Sequence, residues 1–208
     1  MDAGNSPTKI QCSSHKLQRR AGNSSAEDAG PHTKSRLPRP IYWCPPRRGV
    51  KMNVDGASKG NPGPSGGGRI IRNQEGNLIM AFSNFYGCCT NTEAELRAML
   101  DGLRHCERLG LVECQVSSDS NTIVQYINAK KCEAWRCWYW FEEVIHLVEA
   151  LQATVSFSFR ESNRAADYLA NWACSSQRNS TFWPQGELPS KLFSIIREDK
   201  AGLPVFRF

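Results

Sequence analysis

The sequence predicts an α/β domain: a five-stranded mixed sheet, three antiparallel strands followed by two parallel ones, flanked by helices. Two observations predict it. Three short runs with strand character come first, separated by turn-forming residues. Helical and strand periodicities then alternate, giving the order strand, strand, strand, helix, strand, helix, helix, strand, helix. Strands joined by short loops pair antiparallel, whereas each later strand-helix-strand step adds a parallel neighbour through a right-handed crossover.

The elements follow in order. Residues 1–40 are rich in Ser, Asn, Gly, Lys and Arg, lack periodicity, and are expected to be a disordered basic tail. Residues 41–49 lead into the domain, and Pro45-Pro46 bars a helix or central strand there. Val50, Met52 and Val54 alternate with Lys51, Asn53 and Asp55, the period of a strand. Gly56 to Gly68 is read as a glycine- and proline-rich turn. Arg69-Ile70-Ile71 and Leu78 to Phe82 are the next strands, joined by the Asn73 to Asn77 hairpin loop. A helix runs from Thr92 to Leu109 and stops at Gly110. Val112 to Ser117 is a strand, Ser120 to Asn128 a short helix and Glu133 to Leu151 a longer one. Val155, Phe157 and Phe159 alternate as the fifth strand, and Asn163 to Cys174 is the closing helix. The domain is thus placed at 50–175. The tail, 176–208, trails off with an amphipathic turn or two at Pro189 to Glu198, through Leu192, Phe193 and Ile196.

Composition narrows the function classes. No apolar run approaches the roughly 20 residues of a membrane helix, and Met1 to Asn5 opens no secretory signal. The nine cysteines are an odd number without C-x-x-C pairs, which points to reduced intracellular thiols, in nucleus or cytoplasm, over a disulfide framework or zinc site. Positive charge is concentrated: residues 1–48 carry nine Lys/Arg against Asp2, Glu27 and Asp28, which accounts for the whole net +6. A basic tail on a neutral domain suits either weak phosphate contact or a solubilising or targeting role.

Four acids stand out. Asp55 lies in the first strand, where Asp is depleted; alternatively it starts the turn at Gly56. Glu93 shares a solvated stripe with Arg97, Asp101, Arg104 and Arg108, whereas Glu95 heads the apolar stripe of Ala98, Met99, Gly102 and Cys106. A carboxylate on a core face is costly unless paired. A capping box from Thr92 to Glu95 is the alternative, although Thr90 to Glu93 offers the same box. Asp119 follows the fourth strand, where open α/β sheets place ligands, or it caps the next helix. Asp167 lies early in the last helix, where the dipole alone favours an acid. Together they put four carboxylates at strand ends and helix starts of one sheet. Such groups repel unless hard cations neutralise them, and Mg²⁺ prefers carboxylate oxygen. Two ions about 3.5–4 Å apart can clamp an in-line phosphoryl displacement.

Four motifs, in order, resemble the type 1 ribonuclease H family, most closely the domains of plant non-LTR retrotransposons. They are Asn53-Val54-Asp55-Gly56-Ala57-Ser58-Lys59-Gly60-Asn61-Pro62-Gly63-Pro64, Thr90-Asn91-Thr92-Glu93-Ala94-Glu95-Leu96, Ser118-Asp119-Ser120, and Glu161-Ser162-Asn163-Arg164-Ala165-Ala166-Asp167-Tyr168-Leu169-Ala170. The likeness spans about residues 43–175, with a weaker one around Leu188 to Phe208. It implies a ribonuclease H-like fold and a monomer that binds RNA–DNA hybrid, away from any membrane. Asp55, Glu95, Asp119 and Asp167 would be the catalytic acids and would hold two Mg²⁺, with Mn²⁺ the alternative. Gly56, Ser58, Asn61, Asn91 and Asn163 would lie at the substrate.

Two departures from the bacterial pattern bear on function. The segment Phe159-Arg160-Glu161-Ser162-Asn163 has no counterpart of the histidine many members carry before the last helix. In place of the bacterial basic protrusion stands the run from Lys130 to Trp140. There Lys130, Lys131 and Arg136 are candidate phosphate contacts. Trp135, Trp138 and Phe141 either stack on substrate or pack the long helix onto the sheet, packing being favoured for at least two of the three tryptophans of the run. The expected activity is metal-dependent endonucleolytic cleavage of the RNA strand of RNA–DNA hybrids. The alternative is a weakly active or inactive nucleic-acid-binding domain derived from a retrotransposon.

Overall fold

The computed structural model describes residues 37–208. Most of the tail expected over 1–40, as far as residue 36, lies outside the described residues. In chain order the elements begin with strands β1 (Arg39–Ile41), β2 (Val50–Ser58), β3 (Gly63–Arg72) and β4 (Leu78–Cys89). Helix α1 (Asn91–Arg108), strand β5 (Cys114–Ser118) and helix α2 (Asn121–Ala129) follow. A single 3₁₀ turn (Trp135–Cys137) leads into α3 (Trp138–Ala150), then strand β6 (Thr154–Phe157). A second 3₁₀ turn (Arg160–Ser162) precedes α4 (Arg164–Ser176), and the chain closes with β7 (Ser180–Phe182), α5 (Ser190–Lys200) and β8 (Val205–Arg207).

The main sheet has the order β6-β5-β2-β3-β4-β7. β2, β3 and β4 are antiparallel neighbours, while β5 and β6 add in parallel, as the element order predicts. Consecutive strand residues feed opposite faces. Ile71, Met80 and Phe82 enter the core with α1, α2 and α3, whereas Ile70 and Ala81 enter a second core with α4 and α5.

The segment read as one long glycine turn is mostly strand. β2 runs through Ser58 and β3 begins at Gly63, so the glycines are there for closeness. A Cβ on Gly68 would lie 2.1 Å from the Ala166 carbonyl oxygen, so only glycine lets α4 rest on β3 here.

Residues 176–208 do not trail off. β7 adds a sixth strand antiparallel to β4, and α5 buries Leu192, Ile195 and Ile196 against Ile70 and Leu169. β8 pairs with β1 as a separate two-stranded sheet. Strands of three residues carry too short a pattern to be read locally; their partners lie far away in sequence.

A buried polar network ties α5 to the strands. Arg72 donates to Asp199 at 2.8 Å and to Asn53 at 3.1 Å, with its guanidinium 3.7 Å over the Trp43 ring. Asp199 also accepts from Arg164 at 3.0 Å. Burial pulls the Arg72 guanidinium down to about 10, with the Asp199 charge opposing. Removing one partner of a buried pair strands the other charge, which costs about 3–5 kcal/mol. Asp199→Ala is therefore expected to destabilise the chain by that amount in urea titration. A loss below about 1 kcal/mol, the range of exposed pairs, would show that the network is not holding α5.

Candidate active site

Three of the four predicted acids converge at one end of the sheet. Asp55 stands inside the ladder opposite Gly68, buried, so it does not start a turn. The capping box of α1 is made by Thr90 and Glu93: Thr90 Oγ1 accepts from the Glu93 N–H at 3.3 Å, and Glu93 Oε2 accepts from the Thr90 N–H at 2.7 Å. Glu95 is left free to point inward. Its Oε2 accepts from the Gly56 N–H at 3.0 Å, an approach that Gly56 alone permits: a Cβ there would lie 2.1 Å from the Glu95 nitrogen. Asp119 follows β5, and its carboxylate accepts from Asn163 Nδ2 at 3.2 Å. α2 is capped at Ser120 without a side-chain bond, so Asp119 is not spent on a cap.

Asp55, Glu95 and Asp119 each offer a carboxylate oxygen within 4.8 Å of the others. Burial, then the charges of Glu95 and Asp119, push the Asp55 carboxyl well above the usual carboxylate range. Burial, then Asp119, push Glu95 up to about 8, with the Gly56 N–H pulling the other way. These groups are short of positive charge, and the donors are hard oxygens. That donor set fits a divalent cation of the Mg²⁺ type.

Asp167 is the exception among the four. It sits in the first turn of α4 and its charge faces Asp55, yet it is not one of the three converging ligands. Arg160 holds it, through Nε at 3.1 Å and through a second, shorter contact from its terminal nitrogen. The charges of Asp55 and Asp119 also face Arg160. Arg160 is the residue that sequence reasoning missed, because in the segment Phe159 to Asn163 it reads as an ordinary surface cation. A cation seven residues before a site acid was the available signal.

Asn163, expected at the substrate, is buried and internal instead. Its Nδ2 donates to the Val54 carbonyl at 2.9 Å and to Asp119, while its Oδ1 accepts from Asn53 at 3.0 Å. It braces Asp119 rather than reaching outward. Gly56 is buried beside Glu95. Ser58 is half-buried and donates to the Cys89 carbonyl at 2.8 Å. Asn61 and Asn91 are exposed together, with Asn61 Oδ1 accepting from the Asn91 N–H at 2.8 Å.

Asn61 also lines a cleft of about 350 Å³ with Thr90, Glu93, Trp135 and Arg136. Trp135 is 78% and Trp138 51% exposed, so the expectation that they pack the long helix fails. The 3₁₀ turn before α3 faces Trp135 to solvent, and of that group only Phe141 enters the core. Arg136 lies 5.3 Å over the Trp135 ring. Lys130 is ion-paired with Glu149, and Lys131 is exposed. No helix among the described residues is long and apolar enough to cross a membrane.

Comparison with known proteins bears on the family and the fold. A family model described as reverse transcriptase-like matches residues 53–173. A protein of Arabidopsis thaliana named for ribonuclease H is 30% identical over 183 residues, covering 82% of this chain and 27% of its own length. A bifunctional protein of Mycobacterium tuberculosis is 30% identical over 131 residues, covering 59% of this chain and 34% of its own length. The chain therefore spans about a third or less of these relatives. Among solved structures, LC11-RNase H1 in complex with an RNA/DNA hybrid has 29% identity and a TM-score of 0.58, covering 62% of this chain and 98% of that one. RNase H1 of Halobacterium salinarum, at 23% identity and a TM-score of 0.58 over 62% of this chain and 98% of its own, shows the shared fold. With the family matched over more than half of its length and the fold shared with solved ribonucleases H, the chain belongs to the reverse transcriptase-like family of ribonuclease H-like domains.

Proposed function

We propose that the chain hydrolyses the RNA strand of RNA–DNA hybrids at the Asp55, Glu95 and Asp119 cluster, using two divalent metal ions. The observation that carries this is the convergence of three carboxylates, the buried Asp55 and Glu95 and the half-buried Asp119, whose oxygens lie within 4.8 Å of one another, with burial and mutual charge pushing the Asp55 and Glu95 carboxyls up. Support comes from a solved structure of the same fold that holds an RNA/DNA hybrid.

Asp55, Glu95 and Asp119 would hold the ions, with Asp167 as the fourth ligand once Arg160 lets it go. Bound there, Mg²⁺ or Mn²⁺ supplies charge neutralisation and activates water for in-line attack on the scissile phosphate. Asn163 keeps the Asp119 carboxylate aimed. Arg160, freed from Asp167, presents a guanidinium to the phosphate, a planar fork suited to it. Asn61 and Asn91 place an amide side chain and a backbone edge where the hybrid backbone and its 2′-OH groups pass. Lys131 and Arg136 meet phosphates across the cleft, and exposed Trp135 offers a face to a sugar or base. Water attack with loss of the 3′ oxygen leaves 5′-phosphate and 3′-hydroxyl ends.

A binding domain without activity is the second reading, favoured by the engagement of Asp167 by Arg160. The test incubates labelled hybrid, duplex DNA and duplex RNA with the chain, with and without Mg²⁺, beside Asp119→Asn. Mg²⁺-dependent cleavage of the hybrid alone, lost in the variant, is expected. Equal cleavage of all three substrates overturns the hybrid specificity. Unchanged cleavage by Asp119→Asn overturns the metal assignment, and hybrid binding without cleavage by the wild-type chain selects the second reading.

A further inference from the structure

We infer that Arg207, on the C-terminal strand β8, is a positioning residue that holds the Arg160 loop against the carboxylate cluster. As a role in catalysis this rests on the nuclease function proposed above; as a structural clamp it does not.

The 3₁₀ turn Arg160–Ser162 is weakly held from within. It has no side-chain cap at its start, and its internal bonds are those of the Ser162 N–H and Oγ to the Phe159 carbonyl and of the Asn163 N–H to the Arg160 carbonyl. Beyond the Arg160 contacts to Asp167, outside support comes from β8. The Arg207 guanidinium lies 4.5 Å over the Phe159 ring, and its Nε is 4.0 Å from Glu161 Oε1. Phe159 and Glu161 are the two neighbours of Arg160, so one side chain grips the loop on both sides of the residue that meets the acids. Phe159 in turn lies edge-on to Phe157 at the end of β6, with ring centroids 5.5 Å apart. The other oxygen of Glu161 is buried without a hydrogen-bond partner, and Arg207 is the cation placed to close on it.

β8 is itself held in place. It pairs antiparallel with β1, Arg39 opposite Arg207 and Ile41 opposite Val205. The small sheet outside the main one thus joins the lead-in segment and the C-terminal strand beside the site loop. Each grip is weak alone, since a partly exposed ion pair and a cation over a ring both contribute little. Their joint effect is on geometry, and a displacement of about 1 Å in a reacting constellation can lower a rate about a hundredfold.

The experiment uses the full chain and the variants Arg207→Ala, Glu161→Gln, Arg160→Ala and Arg160→Ala/Arg207→Ala, with thermal unfolding confirming that each is folded. Hydrogen exchange is read first. Arg207→Ala should speed exchange in the peptide over 157–163 and leave α1 and β3 unchanged, and Glu161→Gln should do the same to a smaller extent. Unchanged exchange in that peptide for both variants overturns the clamp. This readout stands even if the wild-type chain leaves hybrid uncut, a result that would remove the nuclease function and not the clamp. Cleavage kinetics are read second. Arg207→Ala should lower kcat about tenfold at unchanged KM, and should change nothing further when Arg160 is already Ala. A raised KM at unchanged kcat would mean that Arg207 touches substrate directly. Additive losses in the double variant would mean that it acts other than through Arg160. Either result overturns the inference.

Discussion

Glu95→Gln is expected to lower Mg²⁺-dependent hybrid cleavage about a thousandfold or more and to raise the unfolding temperature of the metal-free chain. The two effects share one cause. Glu95 is the carboxylate that the fold places on the apolar face of α1 and brings onto the Gly56 N–H. An amide oxygen can still accept from Gly56, so the fold keeps its hydrogen bond. What is lost is the negative charge, and with it a ligand worth several kcal/mol of charge stabilisation to a metal-assisted transition state. Each 1.36 kcal/mol is about tenfold in rate. What is gained in the metal-free chain is relief from holding a carboxyl beside Asp119 in a buried place, worth on the order of 1–3 kcal/mol. Cleavage assays beside calorimetry in EDTA check both. Loss of activity together with loss of stability would mean that Glu95 is a structural residue, and the site would need another ligand.

In the absence of metal, stability should fall as pH rises from about 4 to about 8, and Mg²⁺ should restore it most strongly at the upper end. The folded chain raises Glu95 to about 8 and Asp55 well above its ordinary value, against about 4 for both in an unfolded chain. The unfolded state releases these protons first. The stability conferred by the neutral carboxyls is therefore complete below about pH 4 and is lost as pH climbs through the folded values. Mg²⁺ reverses this, because it binds the ionised cluster, and at a hundredfold excess over Kd it stabilises by about 2.7 kcal/mol. Melting curves at several pH values, with EDTA or Mg²⁺, measure the slope. Glu95→Gln serves as the control, since it should flatten the pH slope. A Mg²⁺ effect equal at about pH 6 and about pH 9 would show that these carboxyls are not its ligands.

Much of the molecule is legible along the chain, and the reason is local. Alternation at Val50, Met52 and Val54 marks a strand because side chains there point to opposite faces. The Thr90 to Glu93 box marks the start of α1, and by using Glu93 it leaves Glu95 on the inner stripe. A buried acid on that stripe is visible from spacing alone, because a helix turn is short. Asp55 is visible as a charged residue within an apolar strand, and Asp119 as one that follows a strand directly.

Other features depend on contacts that no local window holds. Asn163 reads as a candidate substrate residue, yet it braces Asp119 through a bond to Asn53, 110 positions away. Trp135 and Trp138 have core-like chemistry, and only the turn before α3 decides that they face solvent. Arg160 and Arg207 read as ordinary surface cations until the fold brings one to Asp167 and the other to Phe159. The chain by itself determined the order of the longer strands and helices from β2 to α4 and pointed to the candidate acids, because periodicity and capping act within a few residues. Only the tertiary structure decided which acids converge, which cation attends them and that the last residues close back on the sheet, because those outcomes come from burial and charge shared between distant segments.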